Sequence, residues 1–470
     1  MKMLIGGKWV DKEQKIDVLN PYDNSLVDTV PHGTVDDIYK AIEIAQIGYE
    51  INRELPTHKR ISILKKTAEI MESRYEELAK TIATEGSKTI NEARKEVGRA
   101  INTITISAEE ARRINGETIP FDSAEGSENR VGYYYRFPIG IIAAITPFND
   151  PLNLVAHKLG PAIAGGNSAV LKPATVTPLS ALKLAECFLD AGLPGEILSV
   201  ITGHGHEIGD ALVSDERIRM VSFTGGVDAG KRVAKYAGLK KIGMELGSNS
   251  PVIVLEDCDL EKAVESCVSG AFWAVGQNCI GVQRIYIQEA IYKKFRDIFV
   301  EKTKSYKVGY QLDENTDMGP MIMEKEAIRV IEWVADAVKK GANLLTGGSR
   351  NGSLVQPTVF DDMPTTAKLD CQEVFGPVVT LYSVTTLDEA IEKSNNVDYG
   401  LHGAIFTNNL SNAFHAIKNM DVGSVIVNDS TDYRVDLMPF GGVKNSGLGR
   451  EGIKFALQEM TEPKVVCFNL

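Results

Sequence analysis

Residues 141–225 read IIAAITPFNDPLNLVAHKLGPAIAGGNSAVLKPATVTPLSALKLAECFLDAGLPGEILSVITGHGHEIGDALVSDERIRMVSFTG. Short apolar runs alternate here with amphipathic segments: IIAAIT, a helix after Asn153, SAVLK, a helix from Pro178 to Asp190, ILSVIT, a helix after Gly205, and MVSFTG. This is βαβ repetition, and it predicts a parallel sheet with helices on both faces, because each crossover lays a helix against the strands it joins. A second unit begins at SPVIVLE (250–256). The helix after it carries Leu260, Ala263, Val264, Cys267, Val268, Ala271 and Val275 on one stripe and leads straight to Gly276-Gln277-Asn278-Cys279. The rhythm resumes with EVFGPVVTLYSV (373–384), a helix from Leu387 to Ser394, AIFT, a helix from Leu410 to Asn419, and SVIVND.

Upstream, residues 34–115 read as helices, opening with Thr34 as N-cap and Ile38, Ala41, Ile42 and Ala45 at helical spacing. YYYRF (133–137) and the terminal PKVVCFNL read as strands outside both α/β sets. They predict a small separate sheet shared between subunits, since an unpaired edge is a liability.

The 470 residues are 43% hydrophobic and 24% charged, an ordinary globular composition with room for about three domains. With 51 Lys+Arg against 63 Asp+Glu the formal charge is −12, so the overall field repels polyanions and offers no footprint for nucleic acid or an anionic membrane. The apolar run Ile139 to Ile145 is far shorter than the roughly 20 residues that span a bilayer. The opening MKMLIGGKWVDKEQK has no export or import pattern, and the expectation is a cytoplasmic protein. The six cysteines lack CxxC or Cys/His ligand spacing, which argues against a disulfide framework or a metal site.

The glycines of Gly203-His204-Gly205 and of Phe223-Thr224-Gly225-Gly226-Val227-Asp228-Ala229-Gly230 follow predicted strands and open helices. Such turns let a pyrophosphate approach the backbone and a helix N-terminus, although tight turns also use glycine for steric reasons alone. Cys279 stands beside Gly, Gln and Asn instead of on the apolar stripe that holds Cys267, so it is either a nucleophile or a packed thiol. Glu245, in the strand-like IGMEL, is costly to bury unless it is paired or functional. Asn149, in TPFNDP, serves as a turn residue or an amide donor.

Taken together, these pieces resemble the aldehyde dehydrogenase superfamily, from LIGGKWV to the last strand. The motifs are PFN (147–149), AGGN (164–167), LKP (171–173), FTG (223–225), MELG (244–247), GQNC (276–279), EVFGPV (373–378) and PFGGVKNSGLGRE (439–451). KEVGR (95–99), ITGHGHEIGD and PFNDPLNL are most similar to the branch with lactaldehyde dehydrogenases and non-phosphorylating glyceraldehyde-3-phosphate dehydrogenases. The resemblance implies an α/β fold of two Rossmann-related domains plus a small β oligomerisation element. Residues 1–118 and 139–247 would bind the dinucleotide, 248–447 would form the catalytic domain, and 119–138 with 448–470 would bridge subunits in a homodimer or homotetramer.

For the chemistry, the resemblance implies Cys279 as nucleophile, Asn149 as oxyanion donor and Glu245 as general base for release of a thioester by water. Lys158 and Glu451, read as exposed charges, suit a proton relay or a plain ion pair equally. NAD or NADP would be held by Thr146, Pro147, Phe148, Lys172, Thr175, Gly203, Gly205, Phe223, Thr224, Gly225, Gly226, Gly230, Leu246, Glu373 and Phe375. Thr175 stands where NAD-selective members carry glutamate, which predicts that NADP is accepted. Arg99 and Arg434, with Asn153 and His157, are expected at the substrate, a short and often hydroxylated aldehyde with an anionic far end. No metal is expected. The competing readings are resolution of the thioester by coenzyme A, and a non-catalytic protein that kept the fold.

Overall fold

The computed structural model describes residues 1–470. The 141–225 stretch forms the centre of an eight-stranded sheet in the order 8–10, 3–5, 198–200, 168–172, 141–145, 218–224, 241–245, 447–448. The five central strands run parallel, while the strands at either edge pair antiparallel. Alternate side chains fill opposite faces. Ala144, Ala169 and Leu171 join a core with the helices Thr57–Ser73, Tyr75–Glu85 and Ile90–Glu110, whereas Ala143 and Val170 join one with Val35–Glu54, Gly205–Ser214 and Val227–Ala237. At the predicted start of the first helix, the Asp37 carboxylate accepts hydrogen bonds from the Thr34 N–H at 2.7 Å and the Thr34 hydroxyl at 2.8 Å.

A seven-stranded sheet follows, in the order 343–346, 358–361, 378–384, 282–288, 250–254, 402–406, 424–427, around its own apolar core. EVFGPVVTLYSV is strand only from Val378, because Glu373 to Pro377 form a loop that turns back toward the first sheet. Arg130–Pro138 and Thr461–Asn469 pair along their whole length, with Glu117–Ile119 at the edge, in a three-stranded sheet apart from the other two. Only the end of the expected 448–470 element lies there. Gly447–Leu448 adds to the first sheet, and the Ile453–Glu459 helix buries Ile453, Ala456 and Leu457 and packs against the Asn153–Ala164 and Ile90–Glu110 helices. No helix is long and apolar enough to cross a membrane.

Strand order decides where a ligand can sit. After strand 141–145 the chain adds 168–172 and 198–200 on one side, then returns to add 218–224 and 241–245 on the other. The reversal opens a crevice at the carboxyl ends of strands 141–145 and 218–224, the usual ligand position in an open α/β sheet.

Candidate active site

That crevice runs into a cavity of about 1010 Å³ between the two large sheets. Cys279 reaches it through an unusual backbone. After the Leu260–Phe272 helix, Ala274, Val275 and Gly276 have φ of 50°, 62° and 67°. A β-branched residue is rare in this left-handed region, and each non-glycine residue there costs on the order of 1–3 kcal/mol. Gly276 is needed twice over, since a Cβ would also lie 2.3 Å from the Gly376 carbonyl oxygen. The turn stops the helix and sets Cys279, half-buried against Ile280, Leu401 and Phe440, at the cavity wall. Burial pushes its thiol up to about 12, opposed by Arg434 and reinforced by Glu373, Glu245 and Glu451. Cys267 is fully buried in the core, and all six cysteines are free.

Asn149 follows strand 141–145 and lines the cavity, and its amide has no protein hydrogen-bond partner. Glu245 is the last residue of strand Lys241–Glu245, in register with Thr224, and its Oε2 is buried without a partner. Burial, and then the neighbouring Glu451, push its pKa well above the ordinary carboxylate value. Lys158 and Glu451 are not the exposed charges the sequence suggested. They are 1% and 8% exposed and pair at 3.0 Å, because the Ile453–Glu459 helix closes this segment over the Asn153–Ala164 helix. Lys158 also donates to Ser222 Oγ at 3.1 Å. Burial opposes the Glu451 charge, but Lys158 and Arg434 outweigh it and hold the carboxyl at about 2. Two neighbouring carboxyls are thus pushed apart, one firmly ionised and one poised to take or keep a proton.

Thr146, Pro147, Phe148, Thr175, Phe223, Thr224, Gly225, Gly226, Leu246, Glu373 and Phe375 line the same cavity. The Phe148 and Phe375 rings meet edge to face at 5.7 Å, and Phe375 is itself held at φ 44°. Glu373 accepts the Ser248 N–H at 2.8 Å and is pushed up to about 7 by burial. A Cβ on Gly247 would lie 2.1 Å from that carboxylate. Four of the expected cofactor residues stand outside the lining. Lys172 is buried behind it without a carboxylate partner, donating to the Pro173 carbonyl at 2.8 Å, and burial lowers it to about 8. A Cβ on Gly205 would lie 3.7 Å from the Lys172 stem, an ordinary contact. Gly203 accepts the Thr175 hydroxyl at 3.0 Å. Gly230 is there for packing, since a Cβ would meet Leu246 at 2.6 Å.

Both arginines line the cavity with a buried, unpartnered Nε. Arg99 donates to Asp436 at 2.9 Å, and Arg434 lies 3.6 Å over the Phe440 ring with Nη2 at 3.4 Å from Glu451. Asn153 and His157 do not line the cavity. Buried behind it, they hold Asp436 at 3.3 and 2.8 Å, and burial, then Arg434, lowers the His157 pKa. The sequence reading missed Asp436, which joins Arg99 to the loop carrying Arg434. It also missed Lys95, whose ammonium lies 4.7 Å over Trp273 at the cavity wall. Lys95 and Arg99 are four apart in KEVGR, a helical spacing that puts both on one face.

A family model described as "Aldehyde dehydrogenase family" matches residues 9–466. The chain is 47% identical to the 3-sulfolactaldehyde dehydrogenase of Priestia megaterium, over 100% of this chain and 98% of that one. Its fold is similar to that of aldehyde dehydrogenase 21 from Physcomitrella patens in complex with the reaction product succinate, at 41% identity and a TM-score of 0.98, covering 100% of this chain and 98% of that one. Glyceraldehyde-3-phosphate dehydrogenase from Methanocaldococcus jannaschii complexed with NADP matches at 40% identity and a TM-score of 0.94, covering 98% of this chain and 100% of that one.

Proposed function

The chain belongs to the aldehyde dehydrogenase family and oxidises aldehydes with NAD or NADP, and from that premise we propose that its substrate is a short aldehyde with an anionic far end, released as the acid from a thioester on Cys279. The observation that carries this reading is convergence: Cys279, the free amide of Asn149, the unpartnered carboxyl of Glu245 and the two arginines face one cavity. Sulfolactaldehyde, succinate and glyceraldehyde 3-phosphate, named with three relatives, all carry an anionic group, which supports the same substrate class.

The Cys279 thiol loses its proton to water, the sulfur attacks the aldehyde carbon, and the Asn149 amide donates to the oxygen as it takes charge. Bound nicotinamide supplies the two-electron acceptor that makes the adduct a thioester. Glu245 then takes a proton from water, the oxygen attacks the acyl carbon, and the carbon–sulfur bond breaks. Glu451, held at about 2, is a poor proton acceptor, so its role with Lys158 is to keep a fixed charge beside Glu245.

Glycines at 225 and 226 leave the crevice floor open to a pyrophosphate, with Glu373 and the two phenylalanines at the nicotinamide end. At the other end Thr175 offers a neutral hydroxyl and Lys172 a positive charge, where a glutamate would repel a 2′-phosphate. NADP is therefore expected to serve, and a kcat/KM for NAD more than about a hundredfold higher would sink the idea. Lys172 carries its charge below about pH 8 and loses it above. The kcat/KM for NADP should fall relative to that for NAD as pH rises through that value, and a constant ratio would remove Lys172 from the phosphate.

The arginines are tested with aldehydes of equal length, one neutral and one anionic. Arg99→Ala and Arg434→Ala should each lose roughly ten- to a hundredfold more kcat/KM on the anionic partner, as for a charge-assisted hydrogen bond. Equal losses on both substrates would mean that no clamp exists. Exposed Val131, Tyr135, Phe137 and Phe468 on one face of the separate sheet support a homodimer or homotetramer, because they form an apolar patch that a second copy would cover.

A further inference from the structure

Glu92 plays no part in the chemistry above, yet it is 6% exposed and reaches across 182 positions of sequence to the turn before Cys279. It lies in the first turn of the Ile90–Glu110 helix, where Oε2 accepts the Thr89 N–H at 2.8 Å and its own N–H donates to the Thr89 hydroxyl at 3.3 Å. That half is an ordinary capping box. The other oxygen does something a cap does not need. Oε1 accepts the N–H of Ala274 at 2.8 Å, at the first of the three left-handed residues.

Strained backbone persists only where its surroundings over-determine it. Gln277 supplies part of that constraint, with its N–H on the Ala274 carbonyl at 2.9 Å and its Oε1 accepting the Ile322 N–H at 3.0 Å. The Val275 side chain, sealed in the core of the second sheet, supplies another part, and Glu92 adds the bond to Ala274 from outside the catalytic half of the chain. One turn on, Glu96 accepts the Leu152 and Asn153 N–H groups at 2.8 and 3.1 Å and so fixes the segment after Asn149. A single helix thus holds the nucleophile turn and the oxyanion-donor turn at a set separation.

We infer that Glu92 is a positioning residue for Cys279, holding the Ala274–Gly276 turn so that the sulfur meets the aldehyde beside Asn149. The inference rests on Cys279 being the nucleophile. Without the carboxylate, the buried Ala274 N–H has no acceptor and the turn can relax toward ordinary dihedrals. The thiol would then leave its place while the dinucleotide crevice, built on other strands, stays whole.

The test is the pre-steady-state burst of reduced cofactor and the rate of Cys279 alkylation by iodoacetamide, beside the dissociation constant for the dinucleotide. Glu92→Ala should slow the burst roughly a hundredfold and Glu92→Gln, which keeps one acceptor, roughly tenfold, as expected for a displaced reacting atom. Alkylation should change with the burst, and dinucleotide binding should stay within about threefold of wild type, a change under roughly 1 kcal/mol. Thr89→Ala separates this from helix capping: it removes the cap hydroxyl but leaves the bond to Ala274, so the melting temperature should fall while the burst stays within about twofold. If Glu92→Ala does not fold, Glu92→Gln decides. A normal burst in Glu92→Gln, or an equal loss in Thr89→Ala, would overturn the inference. Turnover in Cys279→Ala would overturn the nucleophile assignment instead, which keeps the two failures distinct.

Discussion

Cys279→Ala is expected to lower aldehyde oxidation by roughly ten-thousandfold or more, the scale on which an enzyme loses a covalent nucleophile. No other cysteine can take over. Cys267 is sealed in the core, and neither it nor Cys187, Cys258, Cys371 or Cys467 lines the cavity. Dinucleotide binding should survive the change, because the glycine turn at 225–226 and Lys172 belong to different strands of the first sheet. Fluorescence titration with reduced cofactor alongside a turnover assay checks both halves. Activity within about tenfold of wild type, too small a loss for a missing nucleophile, would exclude the assignment.

Glu245→Gln should leave the burst of reduced cofactor intact and slow steady-state turnover by roughly a hundred- to ten-thousandfold, the usual span for loss of a general base. The pH dependence carries the second signature. Burial and the ionised Glu451 push Glu245 well above the ordinary carboxylate value, so the basic form accumulates only as pH rises through that raised pKa. Deacylation-limited turnover of the wild type should climb with pH, and the glutamine variant should be flat over the same range. Equal loss of burst and turnover would move Glu245 to activation of the thiol. Rescue of the variant by coenzyme A would show that a thiol can replace activated water.

What the sequence shows well is what is local. Alternation such as that of Ile142, Ala143 and Ala144 encodes a strand buried on both faces, whereas the helical stripe read from Leu260 to Val275 stops at Phe272, and Val275 belongs to the left-handed turn that begins at Ala274. The Glu373 segment reads as strand because its neighbours Val378 to Val384 are one, and only the close approach of Gly247 shows why it must be a loop. Charges are harder. Lys158 and Glu451 look like surface residues until a partner 293 positions away removes both from water. Arg99 and Asp436 lie 337 positions apart, and nothing near either one announces the pair. His157 and Asn153 belong to the helix the sequence predicts, but their side chains point to Asp436 and not into the cavity, a choice set by the loop that carries Asp436. The left-handed run at Ala274 and Val275 has no signal in residue types that normally avoid it.

The proposed thioester on Cys279 can be weighed directly. Glu245→Gln is mixed with NADP and an anionic aldehyde, quenched in acid within the burst, and analysed by intact-mass and peptide mass spectrometry. The reading predicts a gain equal to the aldehyde mass less two hydrogens, located on the peptide holding Cys279, in step with the reduced cofactor formed. A burst of reduced cofactor with no such adduct, or an adduct on another residue, would contradict it.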